Sequence, residues 1–410
     1  MNPANTMIEN RDDRFDPEDK RLKIFVSPAN QGGCSYYRAW LPFLKLQEKY
    51  PELVHVIFDM NPMNWNKEIP PNGQVDDPSP NFNTCDVFFT QNISNYGGMY
   101  TLNCLKYAHE NGAITHYDND DLLTELYKGH RLEGVYRDNK LDELTKVLYG
   151  SVHIVSVTQR KFAERIKDYV SGALLVIKNS IDFDLPMWNL PRNPPPRKEV
   201  VRIGWVGGIH HSVDIKEFAG VVGLVNKRLG GHNLVWQFYG RPPLQPGQER
   251  DWQQDVWDEY EKYLLAGNRH RNCAFYHALP CETYGQFYTN FDIAIAPLQM
   301  NAFNDSKSEI KLVEAGRYGI PLIASNVGCY DEWIKNGKTG YLIDSTNPKK
   351  KWVDTLVKVI KDKKHREEMG ANLKKTVDEY FDINTNIGGR LKVYLELIPK
   401  IREHEKSKNN

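Results

Sequence analysis

The sequence predicts an α/β protein of two Rossmann-like, doubly wound domains, each built on a parallel sheet and facing one another across a cleft. Three observations carry this. The chain has 410 residues, more than the roughly 250–300 that one hydrophobic core usually organises. From residue 22 onward, short β-branched and aromatic runs alternate with longer amphipathic stretches, the pattern of parallel strands covered by helices. A proline-rich break at 183–199 (FDLPMWNLPRNPPPRKE) then divides those runs into two similar sets.

In chain order, residues 1–21 end in RDDRFDPEDKR, are densely charged, and lack the apolar core of a secretory leader, so they read as a disordered arm. The first domain spans 22–182, with strands expected at KIFVS (23–27), LVHVIF (53–58), DVFFT (86–90), AITHY (113–117), VHIVSV (152–157) and ALLVI (173–177). Each is short and almost continuously apolar, as buried parallel strands are. The break at 183–199 reads as a semi-rigid linker. The second domain, 200–385, carries VRIGWV (201–206), LVWQFYG (234–240), CAFYH (273–277), DIAIAP (292–297), PLIAS (321–325) and GYLI (340–343). Residues 386–410 are expected to form a C-terminal helix, able to pack back on the first domain, and a tail.

Composition narrows the function classes. No segment approaches the ~20 apolar residues of a membrane helix. Lys plus Arg and Asp plus Glu number 53 each, so no net field draws a polyanion, although a local basic groove stays open. The six cysteines show neither CxxC nor metal spacing, which suits a reducing compartment, by default the cytoplasm.

The strongest constellation is FNDSKSEIKLVEAGRYGIP, Phe303 to Pro321, directly after a strand. Ser306 and Glu309 have capping-box spacing and Gly319 and Pro321 supply a stop, predicting a helix from Lys307 to Tyr318. On it Lys307, Lys311 and Glu314 share one face. A helix start at a strand's carboxyl end, with a lysine in its first turn, fits a diphosphate, and Glu314 can accept from a ribose diol. The plain alternative is an exposed Lys–Glu face.

RIGWVGGIHHSVDIKEF, Arg202 to Phe218, places a Gly207–Gly208 turn where phosphate loops sit, but it is neither GxGxxG nor a Walker motif. His211 and Asp214 either face the cleft or serve as a cap or surface pair. YGRPP puts Arg241 at a third strand end, within reach of phosphate. In the first half, SPANQGGCSYYRAW repeats the strand, Gly-Gly turn and helix, aiming Gly33, Tyr37 and Arg38 at the cleft. HYDNDDLL gathers Asp118, Asp120 and Asp121. These can orient or deprotonate an acceptor hydroxyl, or cap a helix opening at Leu122. Asp118 and Asp120 also read as a DxD metal pair.

The run APLQMNAFNDSKSEIKLVEAGRYGIPLIAS, with GWVGGIHHSVD, YGRPP, IKNSID (177–182) and GYLI, resembles the GT-B glycosyltransferases of the GT4-like, "glycosyl transferases group 1" kind. The resemblance is strong from about Val201 to Ile343 and looser before. It implies a nucleoside diphosphate sugar donor, UDP-linked in preference to GDP-linked, bound by the second domain. It also implies a hydroxyl acceptor bound by the first, and retaining transfer with no cofactor or metal required. Lys307 would hold the diphosphate, Glu314 the ribose, the Gly207–Gly208 turn the phosphates, and backbone at His277, Ala278 and Leu279 the base. Gly33, His211, Arg241, Ser306, Ser308 and Lys311 complete the donor side, and Tyr37, Arg38, Asp118, Asp120 and Asp121 the acceptor side. Asp118, Asp120, Lys307 and Glu314 form the expected catalytic set.

One departure stands out: the family's first glutamate of Glu-x7-Glu falls at position 306, here Ser306, and Glu309 is a candidate to compensate. The acceptor can be a glycan, a lipid carrier, a protein or a hydroxylated DNA base. The competing readings are a non-catalytic double-Rossmann binding or scaffolding protein, resting on the lost glutamate, and a metal-dependent DxD transferase.

Overall fold

The structure, a computed structural model, describes residues 13–64, 78–197, 199–230, 233–244, 251–266 and 272–408. All twelve runs expected as strands form strands, in two six-stranded sheets whose pairings are all parallel. The chain divides into two units. The first comprises 1–125, 135–180 and 383–410; the second comprises 126–134 and 181–382. Each is a Rossmann-like layer of sheet and helices, and the fold is of the GT-B class.

In the first unit β1 (Leu22–Ser27), β2 (Val54–Phe58), β3 (Val87–Gln91), β4 (Ile114–Asn119), β5 (Ile154–Val157) and β6 (Ala173–Val176) lie in the order β2-β1-β3-β4-β5-β6. The order reverses between β1 and β3, and ligands of open α/β sheets bind outside the carboxyl ends of the strands at such a reversal. After β1 the chain makes a helical turn (Gly33–Ser35), a π turn (Tyr36–Trp40) and helix α1 (Leu41–Lys49). Pro42 explains the π turn: it has no N–H to offer the carbonyl of Arg38, and the wider turn relieves the clash of its ring.

The charged arm needs correction. Phe15 is buried edge-on against Phe25 and His55, its N–H donates to Asn81 Oδ1 (3.0 Å), and Asp19 pairs with Arg21 and His55. Residues 13–21 are therefore packed against the sheet, because one aromatic anchor outweighs the polarity around it. Residues 1–12 lie outside the described residues.

Helix α9 (Ile383–Lys408) returns to this unit. It sets the buried Arg390 guanidinium over the rings of Phe43 and Phe89, and pairs Glu405 with His153 and Arg402 with Asp86.

In the second unit β7 (Val201–Val206), β8 (Leu234–Arg241), β9 (Cys273–His277), β10 (Ile293–Ala296), β11 (Leu322–Ser325) and β12 (Gly340–Ile343) take the order β12-β11-β10-β7-β8-β9, reversing between β7 and β10. Its core is organised by the fully buried Trp205, Trp236, Trp257 and Trp352. The proline-rich break packs here: Met187 and Trp188 are buried, and Asn193 bonds to Thr289 and Asn290. Ile181 N–H donates to the Phe381 carbonyl (3.0 Å), so the two strands of chain leading to and from the first unit are stitched side by side.

Among the described residues no helix is long and apolar enough to cross a membrane, and all six cysteines are free.

Candidate functional site

At the reversal of the second sheet, β7 runs into the Gly207–Gly208 turn. Gly207 is buried, its N–H donates to the Tyr239 carbonyl (3.0 Å), and a Cβ there would lie 2.3 Å from the Trp205 ring. Gly208 is exposed, and a Cβ there would meet nothing within 4 Å. The two glycines thus differ: packing demands the first, and the second leaves backbone open to solvent. The Tyr260 hydroxyl donates to the Gly208 carbonyl (3.2 Å) and accepts from the His211 N–H (3.0 Å), fixing the turn.

His211 and Asp214 form a buried bridge in place of the cap or surface pair. Burial pulls the imidazole down to about 4, so it is neutral near pH 7, and its Nδ1–H donates to Asp214 Oδ2 (2.7 Å). The other Asp214 oxygen accepts from Gln299 N and Asn304 Nδ2, each at 2.8 Å. One carboxylate thereby ties the loop after β7 to the loop after β10, across the reversal.

The stretch Phe303 to Pro321 differs from expectation at its start. Two helices replace one: a turn at Ala302–Asp305, capped by Asn301, and α6 (Ile310–Arg317). The capping box does not form. Ser306 is fully buried and its hydroxyl bonds back to the Ala302 carbonyl (3.0 Å), while Glu309, also buried, accepts from the Cys329 thiol (3.0 Å).

Lys307 and Ser308 sit in the turn between the helices, the Lys307 ammonium 4.4 Å from the centre of the Phe303 ring. Lys311 Nζ donates to the Val206 carbonyl (2.6 Å), bracing the end of β7, and buried Glu314 accepts from the Tyr288 hydroxyl (2.7 Å). The charges of Lys311 and Lys307 both bear on His211, which puts the two ammonium groups around one turn. Tyr288 and Tyr260 had no sequence signal beyond aromatic content, since their partners are far along the chain.

Arg241 is pinned to a helix rather than pointed at the crevice: it donates to Gln254 Oε1 (2.6 Å) and Asp258 Oδ1 (3.2 Å). Its carbonyl accepts from Ala278 N (2.8 Å) and so shapes the loop at His277, Ala278 and Leu279. Beside that loop a cavity of 580 Å³ is lined by His277 and Leu279 together with Tyr239, Tyr276 and Phe287, a size suited to a small ligand. Tyr276 stacks on Tyr239 with centroids 4.4 Å apart.

At the reversal of the first sheet the structure gathers Gly33, which is exposed, with Cys34, Gln91, Asn92 and Asp120. Asp120 accepts from Asn92 Nδ2 (2.7 Å), Gln91 Nε2 (3.2 Å) and the Cys34 thiol. Burial, then the charge of Asp121, raises its carboxyl above the usual range. Tyr37 lies partly exposed, edge-on to Tyr36.

Arg38 and Asp118 require correction, because both are almost wholly buried in a bidentate pair (Nε to Oδ1, 2.9 Å; Nη2 to Oδ2, 2.6 Å). Burial alone would raise the Asp118 carboxyl, but the Arg38 guanidinium and the Ser156 hydroxyl hold it below the usual range. A hydrogen-bonded chain follows. Burial depresses His116 to about 3, so it is neutral; its Nε2–H donates to Ser156 Oγ, Ser156 donates to Asp118, and the Tyr394 hydroxyl donates to His116 Nδ1 (2.8 Å). These groups position the sheet end and the α9 helix; neither Arg38 nor Asp118 is free to meet an acceptor.

The DxD reading fails on the same ground, since a cation at Asp118 would have to displace Arg38. The expected helix at Leu122 is a single 3₁₀ turn, Leu123–Glu125. Elsewhere among the described residues, His109, His153 and Glu405 bring three ligand atoms within 4.8 Å. However, Thr115 N–H donates to His153 Nδ1, which leaves the proton on Nε2 directed at Glu405. His153 is thus committed to Thr115 and Glu405.

Residues 238–376 match the model of the family "Glycosyl transferases group 1". The match covers about a third of the chain. A D-inositol 3-phosphate glycosyltransferase of Paenarthrobacter aurescens (strain TC1) is 33% identical over 84 residues, 20% of this chain and 19% of that protein, so the match spans about a fifth of the relative's length.

Three solved structures share the fold. Sucrose-phosphate synthase of Thermosynechococcus elongatus has TM-score 0.64 at 15% identity, covering 93% of this chain and all of its own. Anabaena HepE, solved with UDP-glucose, has TM-score 0.60 at 14% identity, covering 91% of this chain and all of its own. S. aureus TarM, solved with UDP, has TM-score 0.53 at 15% identity, covering 76% of this chain and 55% of its own. The matched stretch contains Arg241, the His277–Leu279 loop, Lys307, Lys311 and Glu314. The Gly207–Gly208 turn and the whole first unit lie outside it.

Proposed function

We propose that the chain moves a sugar from a nucleoside diphosphate sugar to a hydroxyl acceptor. The observation that carries this reading is the convergence, at the reversal of the second sheet, of the open Gly208 backbone, two ammonium groups and the buried Glu314, within or beside the matched stretch. Charge grows on the departing diphosphate, and preorganised donors at Gly208 and Lys307 are placed to meet it. Lys311 acts on β7 and positions the turn. Glu314, oriented by Tyr288, is the ribose acceptor, and the cavity beside His277 to Leu279 takes the base. In the first unit Tyr37, Asp120 and Asp121 serve the acceptor, Asp120 by orienting its hydroxyl, with Arg38 and Asp118 holding the frame.

The finer reading is a retaining, metal-independent transfer of a hexosyl or pentosyl group in the cytoplasm, with UDP as the carrier. The UDP carrier is supported by the fold shared with HepE and TarM, each solved with UDP or its sugar. The six free cysteines agree with a reducing compartment.

The test is release of nucleoside diphosphate from a panel of UDP- and GDP-sugars, with and without added chelator, by the full chain and by Lys307→Ala. Slow release by the full chain, abolished in Lys307→Ala with a melting temperature within a few degrees, supports the proposal. Absence of release from every donor by folded protein would overturn it in favour of a non-catalytic binding module. The burial of Ser306 in the glutamate position is the feature that favours that second reading.

A further inference from the structure

We propose that the amino ends of β7, β10 and β11 form a second binding site, for a small phosphorylated anion, on the edge of the sheet opposite the Gly207–Gly208 turn. β7 has six residues, so the two sites lie roughly 20 Å apart at about 3.3 Å per residue. A cavity of 710 Å³ opens there, lined at its strand side by Val201, Arg202, Asp292 and Pro321. That volume fits a sugar phosphate or a nucleotide.

The lining charge is lopsided. Six cations, Arg192, Arg202, Lys361, Lys363, Arg366 and Lys374, face three carboxylates, Glu199, Asp292 and Glu367. Asp292 is consumed by two guanidinium groups. Arg202 donates to it from Nε and Nη2 (3.1 Å each) and Arg192 from Nη2 (2.6 Å), so it offers little to a third cation. Lys363 and Lys374 have their own exposed partners, Glu367 and Asp378.

Arg366 is different. It is only 7% exposed, yet has no carboxylate within salt-bridge distance among the described residues. Its Nη1 donates to the Val359 and Ile360 carbonyls (3.0 Å each) at the end of helix α7 (Pro348–Lys361), while its Nε and Nη2 donate to nothing among the described residues. A buried guanidinium held in place by one nitrogen, on the lining of a cavity and with two nitrogens uncommitted among the described residues, is a fork of the kind that takes two phosphate oxygens. Burial disfavours this charge more than the nearby carboxylates of Asp292 and Glu367 favour it, and a bound phosphoryl group would offset the difference. Lys361, exposed at the rim of the same cavity, supplies a second cation, with Arg192 and Arg202 forming the far wall.

The experiment is calorimetric titration of the full chain with inorganic pyrophosphate at about 0.1 M salt, where unspecific surface attraction is screened beyond ~10 Å. It is repeated on Arg366→Gln and Lys361→Glu. Either substitution is expected to weaken binding about tenfold or more, the loss of one charge-assisted contact. Lys361→Glu is expected to keep the melting temperature of the ligand-free protein, which separates loss of the site from loss of the fold, since Arg366 also holds the end of α7. No pyrophosphate binding, or binding unchanged in Lys361→Glu and so belonging to the carboxyl-end turn, overturns the proposal. Tighter binding of a duplex oligonucleotide than of pyrophosphate, with the same sensitivity to Lys361→Glu, overturns it in favour of a nucleic-acid surface.

Discussion

Adjacent glycines with opposite surroundings allow a sharp test of the donor turn. Gly208→Ala adds a methyl group where nothing lies within 4 Å, at a backbone conformation that is not among the positive-φ positions. Such a change alters stability by a few tenths of a kcal/mol, or raises it by about 0.4–1 kcal/mol through the unfolded chain. Gly207→Ala instead drives a Cβ to within 2.3 Å of the Trp205 ring. That ring is 1% exposed and boxed in by Trp257, Tyr260 and His211. It has nowhere to swing, and overpacking of this kind costs ~1–3 kcal/mol.

Binding should order the two variants the other way where stability is not at issue. If a diphosphate lies against the Gly208 backbone, the new methyl group costs a charge-assisted hydrogen bond, about 1.5–3 kcal/mol, or roughly 10- to 150-fold in UDP affinity. Calorimetric titration with UDP, paired with scanning calorimetry of the free proteins, reads both effects. Gly208→Ala protein that melts normally and binds UDP within twofold of the parent would refute the placement of the phosphates at this turn.

Three further outcomes are expected. Asp118→Leu strands the Arg38 charge in the interior and should cost ~3–5 kcal/mol, whereas Asp118→Leu with Arg38→Met should recover most of the loss. At 2–4 °C per kcal/mol for a domain of 150–250 residues, calorimetry should see the single variant fall by on the order of 10 °C, and equal melting of single and double variants would contradict the pair's isolation. In acid, neutral buried His116 and His211 have folded values near 3 and 4 against an ordinary 6.5. The unfolded chain therefore takes up protons first, and stability, complete above about pH 6.5, should decline by ~1.4 kcal/mol per pH unit per histidine on descent toward pH 4. The depressed Asp118 carboxyl adds loss only lower still, as pH falls below the ordinary carboxylate value through its folded one. Urea titrations at pH 7 and pH 5 giving the same stability would exclude this account. Finally, Glu314→Gln keeps an acceptor for Tyr288 but removes the charge. UDP affinity should fall about tenfold, with little change for 2′-deoxy-UDP, and an equal fall for both nucleotides would remove Glu314 from the ribose.

Much of this fold was legible because buried parallel strands announce themselves locally: every run from KIFVS to GYLI needed only its own apolar residues. The candidate donor elements were legible for the same reason, as a glycine turn or a lysine-bearing loop after a strand. What escaped depended on partners distant in sequence. Arg38 was expected to face the cleft, yet the π turn imposed by Pro42 shifts the helical phase by one residue, about 100°, and the carboxylate it meets is eighty positions away. The capping box at Ser306 and Glu309 was locally sound and still lost, because Asn301 caps an earlier turn and both side chains found buried partners. Arg241 was drawn to Gln254 and Asp258 of the following helix by the same kind of tertiary competition.

The return of α9 to the first unit has a consequence for the order of events during synthesis. The sheet of β1 to β6 leaves the ribosome early, but the tyrosine that completes the His116 chain, and the guanidinium that covers Phe43 and Phe89, are at positions 394 and 390. Every residue of the second unit is translated before them. The half of the molecule made first is thus closed last, and a fragment ending near residue 180 would expose an aromatic face and an incomplete polar chain instead of behaving as an autonomous domain.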